Sequence, residues 1–405
     1  MGDHTAEFVV ELELSKGYIT LDQAEIRKLY FIEDIFSYCM TGKLTISSHR
    51  GITEFGPLTG NERVRIVYGN EVHREVNFRI YKINKVDQVM PSTPSQEVID
   101  ILFTEETFFL FNFFKYSKSW QDKKATEIIT DIATHHLEID NWDKKEESIE
   151  RFDFCMPYWT PNQAFNWLLK RGTGILTNQP GFLFFNNTRG ANLVTLEHLL
   201  SVVFHTPLTV GDNIYSFLTE NEVSYNKILY TNISGIDHSA YKYLSGGVMR
   251  GYDTKRKKFL EEDYKYMSSV KKQTILGRKT LYPEIDNLRV NYYNTMEDEE
   301  KMIDTIYYNA FHKKYVHGLM TSITCRGHED RYCGGMIELD WPSGDVKEWT
   351  NKNLNNYYLV KSITHSFNAN ATPAYKQKMV LIKNGYTDSD VDELISASKI
   401  NISMG

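Results

Sequence analysis

Cysteine is scarce in this chain: Cys39, Cys155, Cys325 and Cys333 are the only four among 405 residues. They are too few and too scattered for a disulfide framework, which excludes the small stapled secreted folds and points to a reducing compartment. Proline is sparse too, with 10 residues, and no low-complexity tract is present, while aromatic residues make up 13% of the chain. A disordered chain needs the opposite balance, so this one folds. Long apolar runs are missing. The longest surrounds residues 108–114 and falls far short of the ~20 residues a membrane-spanning helix requires. Met1 is followed by Gly-Asp-His-Thr, with neither a basic region nor an apolar core, so no signal peptide is expected. Ala6 stands where an N-myristoylation signal wants Ser or Thr.

An excess of positive charge is also lacking: the formal net charge is −7. Proteins that hold nucleic acid neutralise phosphates with a basic patch. The basic runs here, 255–258 and 313–314, are short, sit beside acidic residues and read as solvated loop faces. Specific nucleic-acid binding is not expected.

Catalytic constellations are absent as well. No Gly-x-Ser-x-Gly, His-Glu-x-x-His, P-loop or Gly-x-Gly-x-x-Gly pattern occurs. Glu105, Glu106, Glu146 and Glu147 offer carboxylates for a glycosidase pair, but acidic doublets are usually solvated loop or helix ends. His317, Cys325, His328 and Cys333 are zinc-ligand types close together, yet their spacing is unlike paired knuckles, so they read as buried thiols and loop histidines. His135 and His136 read as the polar end of a helix. No residue is therefore assigned a catalytic, cofactor-binding or metal-binding role, and no cofactor is expected. Trp120, Trp142, Trp341 and Trp349 are candidates for stacking on sugars, with core or interface filling the preferred reading.

What is present is β pattern. Phe8, Val10, Leu12 and Leu14 alternate with Val9, Glu11 and Glu13, Val64, Ile66 and Tyr68 with Arg63, Arg65 and Val67, and Val76, Phe78 and Ile80 with Glu75, Asn77 and Arg79. With further runs at 26–32, 39–47 and 98–103, the first hundred residues read as a small antiparallel barrel or sandwich. From 104 the character changes. Ser119 and Asp122 suggest a weak capping box ahead of a helix over 126–136, whose Ile128, Ile129, Ile132 and Ala133 share a face. Thr160, Pro161 and Gln163 predict a second helix that buries Phe165, Leu168 and Leu169 and ends at Gly172. Strand-like runs follow at 174–177 and 182–185. The β signature returns at 227–230, breaks over a charged, aromatic-rich stretch at 251–314 closed by a helix at 298–311, and resumes at 318–326, 335–340, 357–367 and 375–382. Length suits two to four domains, and no short repeat period is visible.

The order of these segments resembles the baseplate hub proteins of contractile-tailed phages and, more distantly, the hub part of type VI secretion spike proteins. The resemblance rests on the run from Gly51 to Ile66, on Tyr158-Trp159-Thr160-Pro161, and on 181–185 with 193–196. It continues through Gly251-Tyr252-Asp253 followed by Lys257, Tyr264 and Tyr266, then Tyr358-Leu359-Val360, His365, Phe367 and 375–381. It spans roughly residues 6–388. It implies a mainly β, α+β chain in which two similar antiparallel β-barrel domains form a pseudo-six-fold ring in a trimer, with α+β insertions.

The boundaries it suggests are 6–104 for the first barrel, 105–217 for an α+β middle domain, 218–250 with 315–388 for the second barrel, 251–314 for an insertion, and 389–405 for a C-terminal helix or tail. The implied function is a non-enzymatic hub at the tail tip or baseplate of a virion, assembled in the host cytoplasm. Three copies would present six similar barrels to the six-fold tail tube and a true trimer to a three-fold spike, lining the DNA exit channel. Expected partners are further copies of itself, the tail tube protein, a separate spike or tip protein and other baseplate proteins, with no membrane span. A receptor- or glycan-binding tail-tip module, and the hub of a contractile secretion system, stand as alternatives.

Overall fold

The structure is a computed structural model that describes residues 8–14, 17–48, 58–69, 72–88, 96–139, 142–178, 180–201, 208–210, 227–236, 247–253, 257–264, 292–295, 305–306, 309, 319–340, 356–371 and 373–383. The first part of the chain forms β1 (Phe8–Leu14), β2 (Gly17–Thr20), β3 (Ile26–Asp34), β4 (Thr41–Ser48), β5 (Arg63–Tyr68), β6 (Arg74–Gln88) and β7 (Gln96–Thr104). The middle contains α1 (Thr107–Phe113), β8 (Tyr116–Lys124), α2 (Ala125–His136), β9 (Trp142–Lys144) and β10 (Arg151–Trp159). It continues with α3 (Pro161–Leu168), β11 (Phe182–Asn187), β12 (Gly190–Thr195) and α4 (Leu196–Ser201). Then come β13 (Leu208–Val210), β14 (Lys227–Ile236), β15 (Gly247–Asp253), β16 (Lys258–Tyr264) and β17 (Tyr292–Thr295). The last strands are β18 (Leu319–Arg326), β19 (Met336–Asp340), β20 (Asn356–Phe367) and β21 (Tyr375–Lys383).

Thirteen strands join in one sheet, in the order β19-β13-β14-β18-β21-β20-β3-β4-β7-β6-β5-β1-β2. Because β19 also pairs with β20, the six strands at that end form a closed circuit of hydrogen bonds. Among the described residues, the other end curls without such a circuit. Phe31 of β3 and Tyr68 of β5 lie four places apart in the sheet, about 19 Å if it were flat. Their rings are 5.7 Å apart. Phe8 of β1 and Phe367 of β20, six places apart, have centroids at 5.3 Å. The sheet therefore wraps around its own apolar face. The two-residue period supplies that face: Phe8, Val10, Leu12, Val64, Ile66, Val76, Phe78, Ile99 and Ile101 all point inward. Gly42 of β4 is needed where it stands, since a Cβ there would fall on the Phe103 ring and on the Tyr30 carbonyl.

The long strand β20 serves two cores. Its Phe367 end packs in the first, and its Tyr358, Val360 and Ile363 pack with Ile323, Cys325, Met379 and Leu381 in the second. The pairing of β20 with β3 makes the two halves one continuous sheet.

The middle segment has a separate core of Ile128, Ile129, Ile132, Phe165, Leu168, Phe182 and Phe184. Helix α3 starts as its sequence predicts: Gln163 N donates to Thr160 Oγ1 at 3.3 Å, and Thr160 N donates to Gln163 Oε1 at 3.0 Å. Such a cap contributes about 1 kcal/mol. Leu168 and Leu169 are buried, but α3 ends at Leu168, before Gly172. Gly172 is required for packing instead: a Cβ there would meet the Phe182 ring at 2.9 Å.

Two local expectations need correction. Ser119 and Asp122 do not cap α2. Ser119 lies in β8 opposite Cys155, and the helix begins where Lys124 N donates to Glu127 Oε2 at 3.2 Å and Thr126 N donates to Ser148 Oγ at 3.2 Å. Residues 175–177 are a turn rather than a strand, and Gly174 makes only an isolated bridge to Ser148. The carboxylate of Glu146 accepts the amides of Leu176 and Thr177, both at 2.7 Å, and winds the chain around itself. Of the helix expected at 298–311, only Thr305, Ile306 and Asn309 are described; all three are helical and buried. The C-terminal stretch 389–405 and the run 313–314 lie outside the described residues, as do 255 and 256 of the other basic run.

Candidate functional site

Two features stand out beyond ordinary packing. The first is a buried polar junction where both halves of the sheet meet the middle segment. Glu33, near the end of β3, and His365, on β20, are each 0% exposed. A buried carboxylate is costly unless its lone pairs are used. Here Glu33 Oε1 accepts Cys333 N at 2.8 Å and Oε2 accepts Thr188 N at 2.9 Å. Two distant loops are thereby clamped to one strand.

His365 Nε2 stands 3.4 Å from Glu33 Oε1. Its other nitrogen, Nδ1, is 2.7 Å from the Tyr375 hydroxyl, which itself accepts Gln377 Nε2 at 3.0 Å. The Tyr375 hydroxyl thus sits between the imidazole and the Gln377 carboxamide, while Nε2 faces Glu33 without a hydrogen bond to it. The Phe31 ring stacks on His365 at 4.3 Å. A Cβ at Gly327 would fall on the Tyr375 ring, so the loop after β18 approaches only because that residue is glycine.

The loop 327–334 is the buckle of this junction. Glu329 Oε1 accepts Val72 N at 3.0 Å, and Asp330 pairs with Arg74 at 3.1 Å and with Arg189 at 3.4 Å. Arg331, buried, donates to Arg326 O at 2.7 Å and Gln377 Oε1 at 3.3 Å. Beside the junction, Glu105 Oε2 accepts Met40 N at 2.7 Å and Asn186 Nδ2 at 3.1 Å. Burial pushes the Glu105 carboxyl up to about 7, against the pull of those two donors, and the neighbouring Glu33 adds to the rise.

The second feature is an exposed aromatic platform on α1. Phe111 points inward, fully buried, stacked on Tyr38 at 5.2 Å and edge-on to Phe165 at 5.1 Å. Phe113 and Phe114 point out, 67% and 52% exposed, as does Tyr81 at 47%. Phe108 links Tyr81 (6.4 Å) to Phe113 (6.3 Å), and Phe109 lies 6.0 Å from Phe113. Contiguous exposed apolar groups of this kind mark interaction surfaces.

The carboxylates singled out in the sequence are all occupied structurally. Glu106 holds Arg63 at 3.1 Å and Arg79 at 2.9 Å. Glu146 is buried rather than solvated and also accepts Thr195 Oγ1. Glu147 pairs with Lys124 and Lys144. Cys325 and Cys333 fall in different cores, with both thiols pushed up by burial, and His317 lies outside the described residues. His135 and His136 do end α2; His136 stacks on Tyr116 at 4.0 Å, and burial lowers its pKa. Trp120 is spent on Phe154 and on a 2.8 Å bond to Asp131. Trp142 lines a cleft, and Trp341 and Trp349 lie outside the described residues. The junction residues Glu33, Arg331 and Gln377 gave no signal in the sequence. The platform did give one: the aromatic run at 108–114.

The fold has known counterparts. No protein-family model matches the chain, and no curated protein matches it. Among solved structures, the chain is similar to the tail protein from Neisseria meningitidis MC58, with a TM-score of 0.58 at 9% identity, covering 95% of this chain and 99% of that one. It is also similar to the 43 kDa tail protein of prophage MuSo2 from Shewanella oneidensis, with a TM-score of 0.57 at 10% identity over 95% and 99% of the two chains. At such identities the likeness is one of fold, and it extends nearly end to end. The fold is that of phage tail proteins, as the sequence resemblance implies.

Proposed function

We propose that this chain is a structural, non-enzymatic hub at the tip of a phage tail. The observation that carries the reading is the fold shared along nearly the whole chain with two phage tail proteins. In this proposal the chain assembles as a homotrimer whose two β units, 6–104 and 218–250 with 315–388, act as two similar barrels. Three copies then present six units to the tail tube and a three-fold face to a separate spike or tip protein.

The buried junction suits such a part, because a ring that transmits force must keep its two β units in one fixed relation. The platform of Phe113, Phe114 and Tyr81 supplies apolar contact area for assembly. On the outer face of β1, β5 and β6, Arg65 pairs with Glu11 and Glu75, and Arg63 and Arg79 pair with Glu106. Paired charges suit a surface along which DNA passes without being retained. Light scattering on the purified full chain tests the proposal. A mass of three chains is expected, and a monomer or dimer at every concentration overturns it.

A further inference from the structure

Between β9, β12, α4 and the loop 332–334 lies a cleft of about 390 Å³, within the size range of small-molecule sites. Its floor is apolar, formed by Phe185, Val194 and Leu199. Trp142, half-buried, lines it. Tyr332 also lines it, covered by the Arg189 guanidinium at 4.2 Å from its ring.

The rim is polar, and its lysine and its arginine each have a carboxylate partner. Lys145 pairs with Asp143, and Arg189 pairs with Asp330. Asn192 commits one N–H to Gly190 O at 2.9 Å. A phosphate or nucleotide site needs cations left free for the anion, and this rim offers paired ones. Hydroxyl groups, which donate and accept at once, match an ion pair and a carboxamide that present donors and acceptors side by side. An indole beside an apolar floor matches the C–H face of a sugar ring.

We propose that this cleft binds a neutral saccharide, with one pyranose ring stacked on Trp142 and its hydroxyls bonded to Asp143, Lys145 and Asn192. The proposal is independent of the hub assembly and would hold for a monomer as well as a trimer.

The test uses the full chain with maltotriose, cellotriose and chitotriose as probes, and inorganic phosphate as the control. Saturation-transfer NMR is expected to show contact to the ring protons of at least one trisaccharide. Calorimetry with Trp142→Ala should show affinity weakened by about tenfold or more, roughly 1.4 kcal/mol. Should Trp142→Ala fail to fold, Asn192→Ala decides, with a smaller but measurable loss expected. Absence of transfer from all three sugars overturns the proposal. So does unchanged binding in the folded variant, or phosphate displacing the sugar from the cleft.

Discussion

The junction around Glu33 and the platform on α1 use their side chains in opposite ways. At the junction Glu33, Arg331 and Gln377 are withdrawn from water and bonded to distant parts of the same chain. On the platform, large apolar groups are left facing solvent, although Phe111 of the same helix shows that the local sequence can bury an aromatic ring completely. The first arrangement stabilises one arrangement of three segments. The second adds little to the folded monomer and has value only when something covers it. Stability and association should therefore separate cleanly when the two regions are mutated.

The widest separation is expected within α1 itself. Phe111→Ala empties a site enclosed by Tyr38, Phe165 and Phe184 and should cost about 3–5 kcal/mol in urea unfolding. A loss below about 1 kcal/mol would mean that the inward face of α1 is not the core it is described as. Glu33→Ala removes the acceptor for Cys333 N and Thr188 N. Leaving these two amides without their acceptor should cost about 1–3 kcal/mol for each. Hydrogen exchange should show the loop 327–334 and the 186–190 turn losing protection together; separate losses would argue against a single junction.

A gentler probe is Glu105. Its folded pKa of about 7 lies above the ordinary carboxyl value of 4.5, so the folded protein holds the proton more tightly than the unfolded chain. Stability from this group is complete below about pH 4.5, falls as pH climbs, and is lost above about pH 7. Glu105→Gln keeps an acceptor for Met40 N and cannot ionise. The variant should gain on the wild type as pH rises from 4.5 to 7 and stay level beyond. Parallel pH profiles for the two proteins would show that Glu105 is not the titrating group.

The smallest effect on stability belongs to the platform. Phe113→Ser with Phe114→Ser should change unfolding free energy by only about 0.5 kcal/mol while shifting the proposed trimer toward smaller species in light scattering. A double variant that stays trimeric would place the assembly contact elsewhere on the surface.

Much of the local structure was legible because it depends on near neighbours. Alternation in β1, β5 and β6, and the Thr160-Pro161-Gln163 start of α3, each report a period or a cap complete within a few residues. The misreadings arose where a distant group intervened. The segment 174–177 has strand-like composition but is bent by Glu146, and α2 finds its amide acceptor in Ser148 rather than at Ser119. Glu146 itself read as part of a solvated acidic doublet, and only its place among four donors reveals that it is buried.

By itself, then, the sequence determined that this chain folds, that it is mainly β with helices in its middle, and where most strands run, since those properties follow from side-chain periodicity and composition. Tertiary structure alone decided which carboxylates are withdrawn from water, that β20 joins two cores through β3, and which aromatics of the 108–114 run turn outward. The physical reason is sequence separation. Glu33 meets Cys333 across 300 residues, and no local pattern records a hydrogen bond whose partners become neighbours only when the sheet curls.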